Sequence, residues 1–319
     1  MRQLQPVDPD FYAGRKVVVT GGTGFLGART ASQLEASGAE VAAIGSKDYN
    51  LTEQTDVRRL YEEQQPSLVV HAAGAIGGIG ANVANPGRFV YANALMGLLM
   101  LEEARLAEVE KFVLISTTCT YPNSAPLPMR EDSLWDGKPA GATGPYGIAK
   151  RMLHEASIGY EAQYGMDSAT LMLSNLYGPG DHFDEETSHV LAALVRRFVE
   201  AVDSGVATVT NWGTGSPTRE FLHVDDAARA IALAGSRHND TAPVNIGTGV
   251  ETSIKELAEL IADAAGFTGS IEWDTTKPDG QARRYLDVEK AKAFGFEAQV
   301  PLAEGIAETV AWYREHGAG

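Results

Sequence analysis

"VVVTGGTGFLGARTASQLEASG", Val17 to Gly38, is the stretch on which the fold turns. Val17–Thr20 is a short β-branched run, and an apolar helical pattern follows from Ala28 to Ser37. Between them stand glycines at 21, 22, 24 and 27. The run reads as Gly-x-x-Gly-x-x-Gly from Gly21, or as Gly-x-Gly-x-x-Gly from Gly22. Either form gives a tight turn after a first strand and close backbone approach to a pyrophosphate. It also gives a helix start whose N–H groups point at that anion. The glycine pattern alone is weakly specific. Set between a strand and a helix, it predicts a dinucleotide cradle made by Gly21, Thr23, Gly24, Phe25, Leu26 and Gly27.

Outward from this turn the chain alternates. "AEVAAIG" reads as a second strand, "TDVRRLYEEQ" as a helix and "SLVVHAAG" as a third strand. A helix near Tyr91–Ala107, the strand "KFVLIST", a helix over Tyr146–Tyr164 and the strand "DSATLMLSNLYG" follow. Regular alternation without hairpin signals predicts an α/β fold, a Rossmann-type doubly wound parallel sheet with right-handed crossovers. After Asn175 the alternation breaks into a loop, the amphipathic helix "VLAALVRRFVEAVDSG" and several short strands. The expected organisation is a dinucleotide-binding domain over 14–175, with part of 220–250 returning to it. A smaller C-terminal substrate-binding α/β domain over 176–319 completes it.

Composition narrows the partners. The 319 residues are 44% hydrophobic and 21% charged, ordinary for a soluble globular protein, and the net charge is −16. Such a surface repels nucleic acid and anionic membrane, so neither is expected as a partner. One cysteine, Cys119, rules out an internal disulfide and suits a reducing cytoplasm. The opening "MRQLQPVDPDFYAGRK" has no apolar core of a signal peptide, and no run reaches the ~18 apolar residues of a membrane span. No metal is assigned. The segment before Ala13 carries no readable function.

The choice of dinucleotide turns on the end of the second strand. NAD favours an acid there, about 20 residues after the glycine loop. The chain reads Ile44-Gly45-Ser46-Lys47-Asp48, with no acid at the strand end itself. Ser46 and Lys47 suit the 2′-phosphate of NADP, while Asp48 leaves NAD open. Further cofactor contacts are expected at Asn50 and Leu51 and, after the third strand, at Ala72 and Ala73.

The strand "KFVLIST" delivers Thr117 to the cofactor crevice, and Tyr146 and Lys150 share a face of the next helix, one turn apart. A phenol with a pKa near ~10 is a poor base at neutral pH. A neighbouring lysine cation stabilises its phenolate, and a threonine hydroxyl can bond the same carbonyl oxygen. Thr117, Tyr146 and Lys150 can thus move a proton on an oxygen while hydride moves at its carbon.

The glycine loop, "HAAG", Tyr-x-x-x-Lys and "NLYGP", in this order, resemble the extended short-chain dehydrogenases/reductases over nearly the whole chain. More specific segments are "AAGAIGGIGANVANPGRFVYAN", "STTCTYP", "NLYGPGDHFDEETSHVLAALVRRF", "NWGTGSPTREFLHVDDAA" and "KPDGQARRYLDV". These resemble the GDP-L-fucose synthase family over about residues 17–290. The resemblance implies a GDP-4-keto-6-deoxy-hexose substrate, epimerisation at C3 and C5, and reduction of C4 with NADPH. Threonine stands at 117, where that family often has serine.

By this resemblance Cys119 and His189 are the epimerisation acid and base. Their plainer readings are a small buried hydrophobe for Cys119 and, for "TSHV", a helix cap at Thr187 or Ser188. The resemblance also implies a GDP-sugar site. Arg197 and Arg219 serve the diphosphate, with Lys277 and Val190 beside them, and Trp212 offers a surface for guanine. Asn175 bonds the substrate or orients its loop, and Gly77, Gly78 and Asn82 let the backbone approach the sugar. Helices near 91–106 and 147–163, apolar on more than one face, and the family itself imply a homodimer. Two other readings stay open: a redox-neutral GDP-hexose epimerase with tightly bound NAD, and a non-catalytic dinucleotide sensor.

Overall fold

The computed structural model describes residues 2–139, 141–184 and 188–317, the side chain of residue 79 aside. A short helix, α1 (Pro9–Tyr12), precedes β1 (Lys16–Thr20), α2 (Phe25–Ala36), β2 (Glu40–Ile44), α3 (Gln54–Gln64) and β3 (Leu68–His71). Then come α4 (Ile79–Ala84), α5 (Pro86–Leu106), β4 (Lys111–Thr117), α6 (Gly144–Tyr164), β5 (Ser168–Leu173) and β6 (Asn175–Tyr177). The second half holds α7 (Val190–Ser204), β7 (Thr208–Trp212), β8 (Thr218–Arg219), β9 (Phe221–His223), α8 (Val224–Arg237) and β10 (Val244–Ile246). It ends with β11 (Thr252–Ser253), α9 (Ile254–Ala265), β12 (Ser270–Asp274), α10 (Glu289–Lys292) and α11 (Leu302–His316).

Six strands form one sheet in the order β10-β5-β4-β3-β1-β2, and every pairing in it is parallel. β3 and β5 are buried along their full length, and β4 along all but its last residue. Such strands read as unbroken apolar runs because helices cover both faces of a parallel sheet. α2 and α8 pack together on one face, where Leu34, Val19 and Ile231 share a core. α3, α5 and α6 cover the other, around Met100, Leu114 and Leu153. A separate core in the second half gathers α7, α9 and α11 around Phe198, Leu257 and Ile306.

Three boundaries differ from the sequence reading. α2 begins at Phe25, not Ala28, because the glycine loop itself supplies the first turn: Ala28 N donates to Gly24 O at 2.8 Å. "DSATLMLSNLYG" is two strands. Ser174 N donates to Ile246 O, after which β6 leaves the sheet to pair with β9. The helix near Tyr91 starts earlier, at Pro86, where proline at the first position is favourable.

The segment before Ala13 is bound to the body. Tyr12 is fully buried and donates to Ala232 O on α8, and Arg2 pairs with Glu304 and Glu308 on α11. Among the described residues, no helix is long and apolar enough to cross a membrane.

Candidate active site

The cradle is defined by what it excludes. Gly21 adopts φ +67°, which side chains rarely tolerate. A Cβ at Gly27 would stand 2.0 Å from Gly21 O, and one at Gly22 would stand 2.6 Å from Ala43 Cα. Gly24 is the N-cap of α2 and has no side chain to accept from the first-turn N–H groups. Ala73 faces this loop, 3.0 Å from where a Cβ of Gly21 would be, and its N–H donates to Thr20 Oγ1. After β2, Ser46 and Lys47 are exposed, whereas the Asp48 carboxylate turns back to accept from Gly45 N at 2.8 Å. Asn50 is exposed, but Leu51 is buried in the core with α3 and α5.

Thr117 ends β4, and its Oγ1 accepts from Cys119 N at 3.2 Å. Cys119 lies half-buried in a single 3-10 turn, Thr118–Thr120. α6 presses directly on this turn, for a Cβ at Gly147 would meet Cys119 O at 2.3 Å. The same helix supplies Tyr146 and Lys150. Lys150 is buried, donates from Nζ to Ile115 O at 2.9 Å, and lies 6.0 Å from the centre of the Tyr146 ring. Burial holds its pKa down at about 8. Burial, and then Cys119, push the Tyr146 phenol above its ordinary value. Behind them His71 is buried and bonded to Thr20 Oγ1 at 2.9 Å; burial, and then Lys150, hold it at about 3.

His189 is itself the N-cap of α7, through its backbone, so Ser188 is not the cap; Thr187 lies outside the described residues. Its side chain is exposed, yet desolvation by the protein around it, and then His182, keep its pKa below the usual imidazole value. Val190 opens the helix with its side chain exposed. No hydrogen bond among the described residues joins His189 to the Tyr146 group. The loop leading to it does return to the cradle: a Cβ at Gly180 would stand 3.9 Å from Phe25.

A second set of residues lies on β7, β8 and the loop after β12. Trp212 is 73% exposed, with Lys277 Nζ 5.8 Å from its ring centre. Arg197 donates to Asn211 Oδ1 at 2.7 Å. Arg219 Nη1 donates to Thr218 O and Gln281 O; burial, and then Arg284, lower its pKa. Asn175 Nδ2 donates to Glu220 O, which ties its strand to β8–β9. Asn82 closes on its own loop, donating to Gly77 O and Gly78 O, so its amide serves that loop's backbone.

The model of the NAD dependent epimerase/dehydratase family matches residues 17–247. "Probable GDP-L-fucose synthase 1" of Oryza sativa subsp. japonica is 40% identical, covering 95% of this chain and 93% of the relative. "GDP-L-fucose synthase" of Escherichia coli (strain K12) is 36% identical, covering 95% and 97%. This chain belongs to the GDP-L-fucose synthase family. Among solved structures, that of a GDP-L-fucose synthetase from Naegleria fowleri bound to NADP superposes with a TM-score of 0.88 at 28% identity, covering 98% and 97%.

In this family member two functional candidates escape a reading by segment. Arg284 donates from Nη2 to Thr118 O at 2.9 Å, beside Cys119. Its signal was the arginine pair 283–284, of which Arg283 is held by Glu251 on the surface. Glu220 is buried, and its carboxylate accepts from the N–H groups of Thr248, Gly249 and Leu286. It fixes the loop after β10 and the Arg284 segment against β8. The glycine-lined cradle, its helix-start N–H groups without a side-chain cap among the described residues and the exposed Lys47 fit a dinucleotide. When bound there, NADP would supply hydride chemistry.

Proposed function

We propose that this chain is an NADP-dependent GDP-4-keto-6-deoxy-hexose 3,5-epimerase/4-reductase, making a GDP-6-deoxy-L-hexose such as GDP-L-fucose. The observation that carries the reading is the gathering of Thr117, Cys119, Tyr146 and Lys150 on one strand end, one turn and one helix face. The names of the relatives and the NADP in the related structure support it.

The residues fit the steps. The C4 ketone acidifies the hydrogens on C3 and C5. His189, held neutral at pH 7, takes a proton from one face of the ring. The electron pair moves onto O4, where the Thr117 and Tyr146 hydroxyls and the Lys150 cation stabilise it. The Cys119 thiol returns a proton to the opposite face of the same carbon, and solvent restores both groups. In the reduction Tyr146 donates its proton to O4. A phenol kept protonated by burial is in the right form for that. Arg219 and Arg197 hold the diphosphate, and Arg284 joins them; Trp212 and Lys277 cover the guanine.

Residues 14–175 form the dinucleotide half of this enzyme, with β10 completing its sheet, and 176–319 form the sugar-nucleotide half. α5 and α6 pair with a second copy in a homodimer, supported by exposed Tyr91, Ile148, Met152 and Tyr164. The location is cytoplasmic, in keeping with a single cysteine.

The test is the fate of NADPH and NADH with GDP-4-keto-6-deoxy-D-mannose, the product being identified by NMR. Stoichiometric NADPH use with inversion at C3 and C5 is expected. Reduction without inversion would leave a ketoreductase. Inversion with no reductant consumed would leave a redox-neutral epimerase.

A further inference from the structure

The turn that carries Cys119 is gripped from two sides. Arg151 Nε, one residue beyond Lys150 on α6, donates to Thr120 O at 2.6 Å. Arg284 Nη2 donates to Thr118 O at 2.9 Å. These two carbonyls flank Cys119. The carbonyl of Cys119 itself is pressed by Gly147, where any Cβ would collide. Within the turn, Thr120 Oγ1 donates to Thr117 O and Tyr121 N to Thr118 O.

Arg151 is only 4% exposed. Its described hydrogen-bond partners are carbonyl oxygens, those of Thr120 and Gly137, and its guanidinium lies 5.2 Å from the Trp135 ring centre. Its Nη2 and the Nε of Arg284 are buried with no hydrogen-bond partner among the described residues. A buried guanidinium on carbonyls is a poor choice for stability, since an apolar side chain of similar volume does as well or better. A rigid planar fork does, however, fix the carbonyls it binds.

We infer that Arg151 and Arg284 are positioning residues for epimerisation: they clamp the carbonyls on either side of Cys119 so that its thiol keeps a single aim. The inference rests on the epimerase/reductase reading. Arg284 also sits beside Arg219, so it joins the clamp to the cations assigned to the diphosphate. Arg151 makes no such link, and its effect falls on turnover and not on substrate affinity.

The experiment compares the wild type with Arg151→Met, Arg151→Lys and Arg284→Met. Deuterium entry at C3 and C5 of GDP-4-keto-6-deoxy-D-mannose in D2O, with NADP+ and no reductant, reads proton transfer by itself. At saturating substrate, it is expected to fall roughly 10- to 100-fold in both Met variants. KM for NADPH stays near the wild-type value, and products not inverted at C3 and C5 appear when NADPH is supplied. Arg151→Lys, which keeps the charge and loses the fork, lies between. If Arg151→Met does not fold, Arg151→Lys and Arg284→Met decide. Unchanged exchange in variants that melt like the wild type overturns the clamp alone. A wild type that neither exchanges nor reduces overturns the functional reading, and the clamp with it.

Discussion

Lys150 Nζ lies 6.0 Å from the Tyr146 ring centre and donates to Ile115 O at 2.9 Å, so the lysine is held by the sheet and not by the phenol. The sequence spacing invites a lysine that turns tyrosine into a base. The structure gives a phenol raised by burial and a lysine lowered by it to about 8. That arrangement favours Tyr146 as a proton donor and Lys150 as a cation near the oxygen.

A pH profile of kcat follows. Lys150 loses its charge as pH rises through about 8, so reduction should decline on the alkaline side from there. His189 must be neutral to act as base, and its lowered pKa keeps the acid limb below the usual imidazole value. In Lys150→Arg, whose side chain stays charged, the alkaline limb should disappear even where the rate is lower. An alkaline limb that stays in place in Lys150→Arg would assign it to another group.

Cys119→Ser separates the two halves of the chemistry. A serine hydroxyl is a much weaker acid than a thiol, so it cannot return a proton to carbon at a useful rate. Inversion should fall by about 10²–10⁴ while C4 reduction persists. NMR of the product decides, and a variant that still inverts both centres at full rate makes Cys119 a packing residue.

What was legible in the sequence was local. The cradle and the Tyr146/Lys150 pair depend on spacings within one turn or one helix, and the parallel sheet on apolar runs separated by helices. What escaped depends on contacts between distant segments. Ser174 breaks a strand because β9, far down the chain, captures Asn175–Tyr177. Arg284 reaches the Cys119 turn across 166 residues, and Glu220 binds N–H groups from two later loops. The Asn82 amide bonds Gly77 O and Gly78 O within its own loop, a contact that no spacing could reveal.

Gly27→Ala tests the cradle. The added methyl would lie 2.0 Å from Gly21 O, and a backbone atom cannot move aside cheaply. Overpacking of this kind costs about 1–3 kcal/mol. The melting temperature should drop, and the rise that saturating NADPH gives the wild type should shrink. Melts with and without NADPH read both effects, and an unchanged NADPH-induced rise would show that the cofactor does not depend on this approach.

Asp181 yields a prediction independent of catalysis. It lies on the loop after β6, 8% exposed, with Oδ1 accepting from His182 N at 2.7 Å. Its Oδ2 is buried without a hydrogen-bond partner among the described residues, and burial raises the carboxyl to about 7. The folded chain thus keeps a proton that the unfolded chain loses near pH ~4. The stability this group allows is fully present below that pH and is lost as pH rises through 7, on the order of 2–4 kcal/mol. His71 and His154, lowered by burial to about 3 and about 4, act in the opposite sense, because their contribution is lost as pH falls from 6.5. The sum in the wild type therefore hides each part, and the difference between wild type and Asp181→Asn isolates one. That variant should gain stability over the wild type from pH 4 to about 7 and level off above it in urea melts. A gap that does not change with pH would mean that Asp181 is ionised in the folded protein and that its buried oxygen has found a donor.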